Sequence, residues 1–375
     1  MTIKYLGSKR RLVPTLVAMA GSAGASSALD LFSGTSRVAR AMKAAGLLVT
    51  AVDSATYAKV LADTYVATDA AELERAELER AIGELNGLEG RVGYVTEVFS
   101  EQARYFHPDN GRRIDAIRDA IEERWAASPL HPLLLASLLE AADRVDSTTG
   151  LQMAYLKSWA PRALRPLELR VPELLAGPGR ALLGDATTLV ATLGAVDVAY
   201  LDPPYNQHRY FGNYHVWETL VRWDAPEHYG VACKRVDCRD EANASPFNKR
   251  RQMPLALAEV IASVRAGLLL VSYNDESWLG VGDLVAMCEA AGRSCAAVIG
   301  IERPRYVGAR IGIHNPKGVK VGRVSHVRNT ELVVVSGERS EVAEAVAAGL
   351  AAAARSGLAA FELDAGSSAP ERRRA

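Results

Sequence analysis

Along the chain, short apolar runs that stop at an acid or a turn alternate with stretches whose apolar residues recur at helical spacing. Ser27 to Phe32 (SALDLF) is the first such run and reads as a buried parallel strand. The turn Ser33-Gly34-Thr35 follows, then Ser36 to Ala45 with helical composition, and Gly46 is placed to stop the helix. Leu47 to Val52 (LLVTAV) is a second strand ending at Asp53, which completes a β-α-β unit. Strand-like runs return at Ala181-Leu182-Leu183 before Gly184-Asp185, at Val196 to Leu201 before Asp202, at Leu268 to Tyr273 before Asn274-Asp275, and at Glu331 to Ser336. A helical stretch, Gly282 to Ala291, separates the last two and continues the alternation.

From about Ala58 to Pro172 the pattern changes. Apolar residues recur at helical spacing in Glu72 to Leu85 and in Leu133 to Val145, with polar connectors between them. A helical block inside an α/β alternation predicts an insertion or a second lobe. The expected organisation is an α/β domain made of 1–57 plus 173–340 and a helical insertion at 58–172. The segment 356–375, rich in Ala, Ser, Gly and Arg, is expected to be a disordered tail.

Asp30, Asp53, Asp185 and Asp202 each lie at or near the carboxyl end of an expected strand. That is the edge where doubly wound sheets bind ligands. Any one of these acids reads better as a helix cap; four in succession point to a binding edge.

At 375 residues the chain is long enough for one large α/β domain with an insertion, or for two domains. Its 49% hydrophobic and 23% charged content is that of a protein able to build a real core. No apolar stretch is long enough to cross a bilayer, and MTIKYLGSKRR lacks the apolar core of a secretory signal, so a cytoplasmic location is expected. Cys233, Cys238, Cys288 and Cys295 form no C-x-x-C pair and have no suitably spaced histidines. They read as free thiols, and no metal is expected.

Basic and acidic residues balance at 44 each, so bulk charge neither requires nor excludes a polyanionic partner. The distribution says more. Arg303, Arg305, Arg310, Lys317, Lys320, Arg323 and Arg328 occupy one stretch with no Asp or Glu in it. A solvated loop accounts for such a run; in a neutral chain it also suits a polyanion, bound with a steep salt dependence.

Two constellations carry chemistry. In LDLFSGTSRVARAM, Leu29 to Met42, Gly34 lets the backbone of a strand-to-helix turn approach a ligand, and Asp53 is placed to accept hydrogen bonds from ribose hydroxyls. The run lacks the three glycines of a dinucleotide fingerprint, which disfavours NAD, and an ordinary βα turn would look the same. Asp202-Pro203-Pro204-Tyr205 follows the apolar run VDVAYL. Two prolines fix two φ angles and remove two N–H donors, giving a stiff loop between an acid and an aromatic ring. Such a loop can accept hydrogen bonds from an amino group while the ring stacks on a planar base. Alone it is also a proline-rich turn; after a strand and downstream of the first constellation, the chemical reading leads.

Together these segments resemble the Dam-type, class alpha-like family of adenine-specific DNA methyltransferases. KYLGSKRRL, Lys4 to Leu12, resembles its amino-terminal Lys-aromatic-x-Gly-x-Lys element. DLFSGTSRVA resembles its donor loop, and LLGDA with Asp185 the segment that holds the donor's adenine. DPPYNQHRYFGNYHVWETL, Asp202 to Leu220, resembles its catalytic motif and following loop; VSYNDE and NTELVVV resemble later strands. One departure stands out. The family's donor loop commonly has a second glycine where this chain has Ser36, a residue expected to cap the following helix.

The resemblance implies a Rossmann-like, S-adenosylmethionine-dependent methyltransferase sheet with the helical insertion as target-recognition lobe. It assigns the donor to Tyr5, Gly7, Lys9, Asp30, Phe32, Gly34, Asp53 and Asp185, and catalysis to Asp202, Pro203, Pro204 and Tyr205. Tyr210, Asn213 and His215 are candidates for DNA contact, as are Arg305, Arg310, Lys317 and Lys320; a core or surface role suits the first three equally. The implied partners are double-stranded DNA and a cognate restriction endonuclease, with a monomer expected. Ring-carbon methylation needs a thiolate, usually in a Pro-Cys pair, and no cysteine here follows proline. Cytosine amino methylation and rRNA methylation remain as alternatives.

Overall fold

The structure is a computed structural model that describes residues 3–304 and 328–363, except 6, 8, 23, 206, 208 and 276. In chain order the elements are α1 (Val13–Ser22), β1 (Ser27–Asp30), α2 (Arg37–Ala44), β2 (Leu48–Asp53), α3 (Thr56–Ala62), α4 (Arg75–Asn86), α5 (Pro108–Trp125) and α6 (His131–Arg144). They continue with β3 (Gly179–Leu183), α7 (Ala186–Leu189), β4 (Val196–Leu201), α8 (Tyr210–Asn213), α9 (His215–Arg222), β5 (His228–Tyr229), β6 (Lys234–Arg235) and α10 (Met253–Ser263). Last come β7 (Ala266–Asn274), α11 (Val281–Ala290), β8 (Cys295–Pro304), β9 (Arg328–Gly337), α12 (Arg339–Arg355) and β10 (Ala360–Leu363).

An eight-stranded sheet runs β10-β8-β9-β7-β4-β1-β2-β3. It is mixed: β2 pairs with β3 and β4 with β7 in parallel, whereas β9 is antiparallel to both β7 and β8. With its flanking helices it is the α/β sheet expected of an S-adenosylmethionine-dependent methyltransferase.

By internal contacts the chain divides into two compact units, 1–10 with 29–188 and 208–245, and 11–28 with 189–207 and 246–375. The first unit holds β2, β3 and the helices of 58–172. Its core is built by helix stripes: Leu78, Ala81, Ile82 and Leu85 of α4, Ile114, Ile117 and Ile121 of α5, and Leu134, Leu135 and Leu138 of α6. Val216, Trp217 and Leu220 of α9 enter the same core, so the helix that follows the proline motif packs with the helical segment.

The second unit is built on Val- and Leu-rich strands buried on both faces, Leu268 to Val271 and Leu332 to Val335. On α12, Val342, Ala345, Val346, Gly349, Ala352 and Ala353 form its buried stripe. A Cβ at Gly349 would lie 2.3 Å from Met19 Cε, so glycine there lets α1 and α12 approach closely. The expected tail contains β10, which pairs antiparallel with β8, Phe361 opposite Gly300, where the aromatic ring covers the glycine. Residues 364–375 lie outside the described residues, as does most of the one-signed basic stretch. Among the described residues no helix is long and apolar enough to cross a membrane.

Candidate active site

In the first unit, the turn after β1 is held from three directions. Gly34 adopts φ 52°, the left-handed region that favours glycine. Its N–H donates to Asp53 Oδ2 at 2.8 Å, and Ala55 N–H donates to Asp53 Oδ1 at 2.9 Å. Burial raises the Asp53 carboxyl above its ordinary range, and these N–H groups work against that rise. A Cβ on Gly34 would meet Tyr5 Cε1 at 3.1 Å, so the Tyr5 ring lies directly against the turn.

Tyr5 is the hub of a tyrosine cluster. It stacks on Tyr214 with ring centroids 4.6 Å apart and planes 15° from parallel, and lies 5.5 Å from Tyr210. Its hydroxyl is 3.3 Å from that of Tyr57. Burial first, and then Tyr57 and Asp53 for Tyr5 and Asp53 for Tyr57, pushes both hydroxyls well above the ordinary tyrosine range.

Ser36 departs from expectation. It sits at φ 56° and ψ 23° and makes no side-chain cap to α2. The serine occupies the left-handed conformation a glycine would take, and a capping residue needs extended backbone instead. The cap comes from Asp30, whose Oδ2 accepts from Ala39 N–H at 3.1 Å at the third position of the helix. Asp185 accepts from Thr187 N–H at 2.8 Å and caps α7. Two of the four strand-end acids thus carry caps.

The residues of this turn fit a polar ligand with hydroxyl groups. Asp53 is half-buried, and a carboxylate holding two N–H groups keeps lone pairs for further donors. The hydroxyls of Ser33 and Ser36 are buried with no hydrogen-bond partner among the described residues, an arrangement that a polar ligand relieves. Gly7 also adopts positive φ, 75°, and Lys9 is buried. Phe32 is half-buried.

In the second unit, Asp202, Pro203, Pro204 and Tyr205 leave the end of β4, which is buried from Val198 to Leu201. Asp202, Pro204 and Tyr205 are half-buried and Pro203 is buried. The Tyr205 ring is braced edge-on by Tyr273 of β7, with centroids 5.7 Å apart and planes at 67°. Strand and brace together fix an acid and an aromatic face on a stiff loop.

The three candidates on α8 and α9 separate. Tyr210 joins the tyrosine cluster and stays half-buried. Asn213 and His215 are interior residues, the core role that suited them equally in the sequence. Asn213 is buried and its carbonyl accepts from Gln152 N–H. His215 is fully buried, its Nε2 lies 2.9 Å from the Gln152 carbonyl, and burial depresses its pKa to about 3. Arg305, Arg310, Lys317 and Lys320 lie outside the described residues.

Sequence reasoning missed Tyr57, Tyr214 and Glu218. Glu218 Oε2 accepts from Thr56 N–H at 3.1 Å and caps α3 from a distant helix, for which no local signal exists. Tyr57, an aromatic just past a strand-end acid, was findable by the logic applied to Tyr205.

A mixed eight-stranded α/β sheet with flanking helices is consistent with an S-adenosylmethionine-dependent methyltransferase fold. Residues 5–247 match the family model of the D12 class N6 adenine-specific DNA methyltransferase. Type II methyltransferase M.NlaIII of Neisseria lactamica is 31% identical over 304 residues, covering 78% of this chain and 89% of that protein. Type II methyltransferase M.CviAII of Paramecium bursaria Chlorella virus 1 is 33% identical over 216 residues, 55% of this chain and 62% of that protein. Modification methylase StsI of Streptococcus sanguinis is 29% identical over 301 residues, which is 75% of this chain but 45% of that longer protein. The chain belongs to the D12 class of N6 adenine-specific DNA methyltransferases.

Proposed function

We propose that this enzyme methylates adenine within a specific duplex DNA sequence, with Asp202 to Tyr205 as its catalytic loop, as the modification partner of a restriction endonuclease. The relatives named type II methyltransferase and modification methylase support the last part. The observation that carries the catalytic assignment is the braced Asp-Pro-Pro-Tyr loop at the end of a buried strand. We take the protein to act as a cytoplasmic monomer, without a metal.

Adenine's amino group is stacked and paired within a duplex, so the base has to be extruded before it reaches the loop. Tyr205 then stacks on the ring. The Asp202 carboxylate and the carbonyl of Pro203 or Pro204 accept the two amino hydrogens, which concentrates electron density on the nitrogen; Asp202 also stands ready for the proton that nitrogen sheds. Tyr5, Gly7, Lys9, Asp30, Phe32, Gly34, Asp53 and Asp185 form the donor region, Asp53 for the ribose hydroxyls, and Asp30 and Asp185 through the helices they cap. Bound there, S-adenosylmethionine supplies an electrophilic methyl group. Positioning and fixed dipoles, with no covalent enzyme intermediate, provide the rate.

Asp202→Ala tests this reading. Methyl transfer to duplex DNA should fall by about a thousandfold or more, while calorimetry shows donor binding close to wild type. Full activity in that variant would remove the loop from the mechanism.

A further inference from the structure

Lys4, the residue immediately before Tyr5, is committed to protein contacts at both ends. Its ammonium lies 2.8 Å from Asp146 Oδ1 and donates to the Asp143 carbonyl at 2.5 Å. Its backbone N–H lies 3.2 Å from both carboxylate oxygens of Asp143. Asp143 is in the last turn of α6 and Asp146 just beyond it, and their side chains are only 5% and 4% exposed. Arg162 Nε shares the same Asp146 oxygen at 2.8 Å, and the Thr148 hydroxyl donates to the other. Two carboxylates buried this close together are costly unless cations meet them. Among the described residues Lys4 and Arg162 are the cations that do so, and Lys4 meets both carboxylates.

One residue later the chain reaches the Tyr5 ring, which lies against Gly34 and stacks on Tyr214, with its hydroxyl beside Tyr57. Fixing residue 4 through both its backbone N–H and its side chain sets the direction in which residue 5 leaves. The anchor in the helical segment and the ring over the turn are thus consecutive residues of one strap.

We propose that Asp143 and Asp146 are positioning residues for the methyl-donor site, acting through Lys4 to hold the Tyr5 ring over Gly34. The helical segment then helps to build the donor site, in addition to any part it has in target recognition. This rests on the reading of Tyr5, Gly34 and Asp53 as donor residues.

The test uses the full chain with S-adenosylmethionine and duplex DNA. Lys4→Met should raise the donor Kd by calorimetry, and the donor KM, by about tenfold. The kcat at saturating donor and the KM for DNA should stay within about twofold. Lys4→Arg, which keeps the charge, should recover most of the loss, a rescue that simple loosening of the fold would not give. Asp146→Asn should move the donor KM in the same direction by less, and it decides the matter if Lys4→Met does not fold. Wild-type donor affinity in a folded Lys4→Met, or equal losses in kcat and in DNA affinity, would overturn the proposal. Tyr5→Ala, run alongside, separates the two readings. Unchanged donor binding there removes the donor assignment itself; weakened binding there with an unchanged Lys4→Met removes only the positioning role.

Discussion

The turn after β1 and the loop after β4 both leave a buried strand and both carry an acid, yet they are made rigid in opposite ways. The loop Asp202 to Tyr205 stiffens itself: two prolines fix its backbone, and Tyr273 braces its aromatic ring. The turn Ser33 to Ser36 has no proline; its one internal restraint is the hydrogen bond from Ser36 N–H to the Ser33 carbonyl at 2.7 Å. It holds two residues at positive φ and depends on Asp53, Asp30 and Tyr5, none of which is its sequence neighbour within the turn. A loop that is stiff by composition tolerates change around it, whereas a loop held by partners fails when any partner moves.

That contrast can be broken from either side. After Asp202→Ala, the largest effect is expected at Tyr205. Tyr205→Ala should lower kcat roughly 10- to 100-fold, the worth of one base stacked on an aromatic ring, with donor Kd unchanged and Tyr205→Phe near wild type in steady-state assays. In the turn, Gly34→Ala adds a methyl 3.1 Å from the Tyr5 ring at a backbone angle disfavoured for any side chain. It should cost about 1–2 kcal/mol of stability in denaturant titration and weaken donor binding in calorimetry, leaving DNA affinity unchanged.

The difference between the loops also explains what the sequence made legible. The strands at Val196 to Leu201 and Leu48 to Asp53, and the loop after β4, were readable because apolar runs and prolines act locally. The conformation of Ser36 was not, because the cap it was expected to supply comes from Asp30, on the preceding strand. Nor was the fate of Asn213 and His215: a polar helix face can turn inward when partners such as Gln152 wait there, and nothing near those residues announces that. The strand β8 and helices α1, α10 and α12 also went unread, since Ala-rich stretches such as Arg339–Arg355 carry little contrast between faces.

His215 gives a smaller, pH-dependent test of its interior position. Burial depresses its pKa to about 3, whereas the unfolded chain protonates it near ~6.5. Between those values the unfolded state binds more protons, so its contribution to stability is full above the unfolded value and is lost as pH falls towards the folded one. The slope is at most about 1.4 kcal/mol per pH unit. Asp143, raised to about 6 mainly by burial, acts in the opposite sense between about 4 and 6, because there the folded state binds more protons. His215→Asn should therefore flatten the acid loss of stability measured by denaturant titration at several pH values; an unchanged profile would return His215 to the surface. The smallest effect is expected at Ser36. Ser36→Gly removes a left-handed serine that caps nothing and should stabilise the fold by about 0.5–1 kcal/mol, read as a small rise in Tm.

The most direct test is nucleoside analysis of duplex DNA methylated by the purified enzyme with labelled S-adenosylmethionine. The label should appear in N6-methyladenine, at one recognition sequence, and be absent from DNA treated with Asp202→Ala. Label in N4-methylcytosine, or transfer to rRNA and none to duplex DNA, would contradict the account.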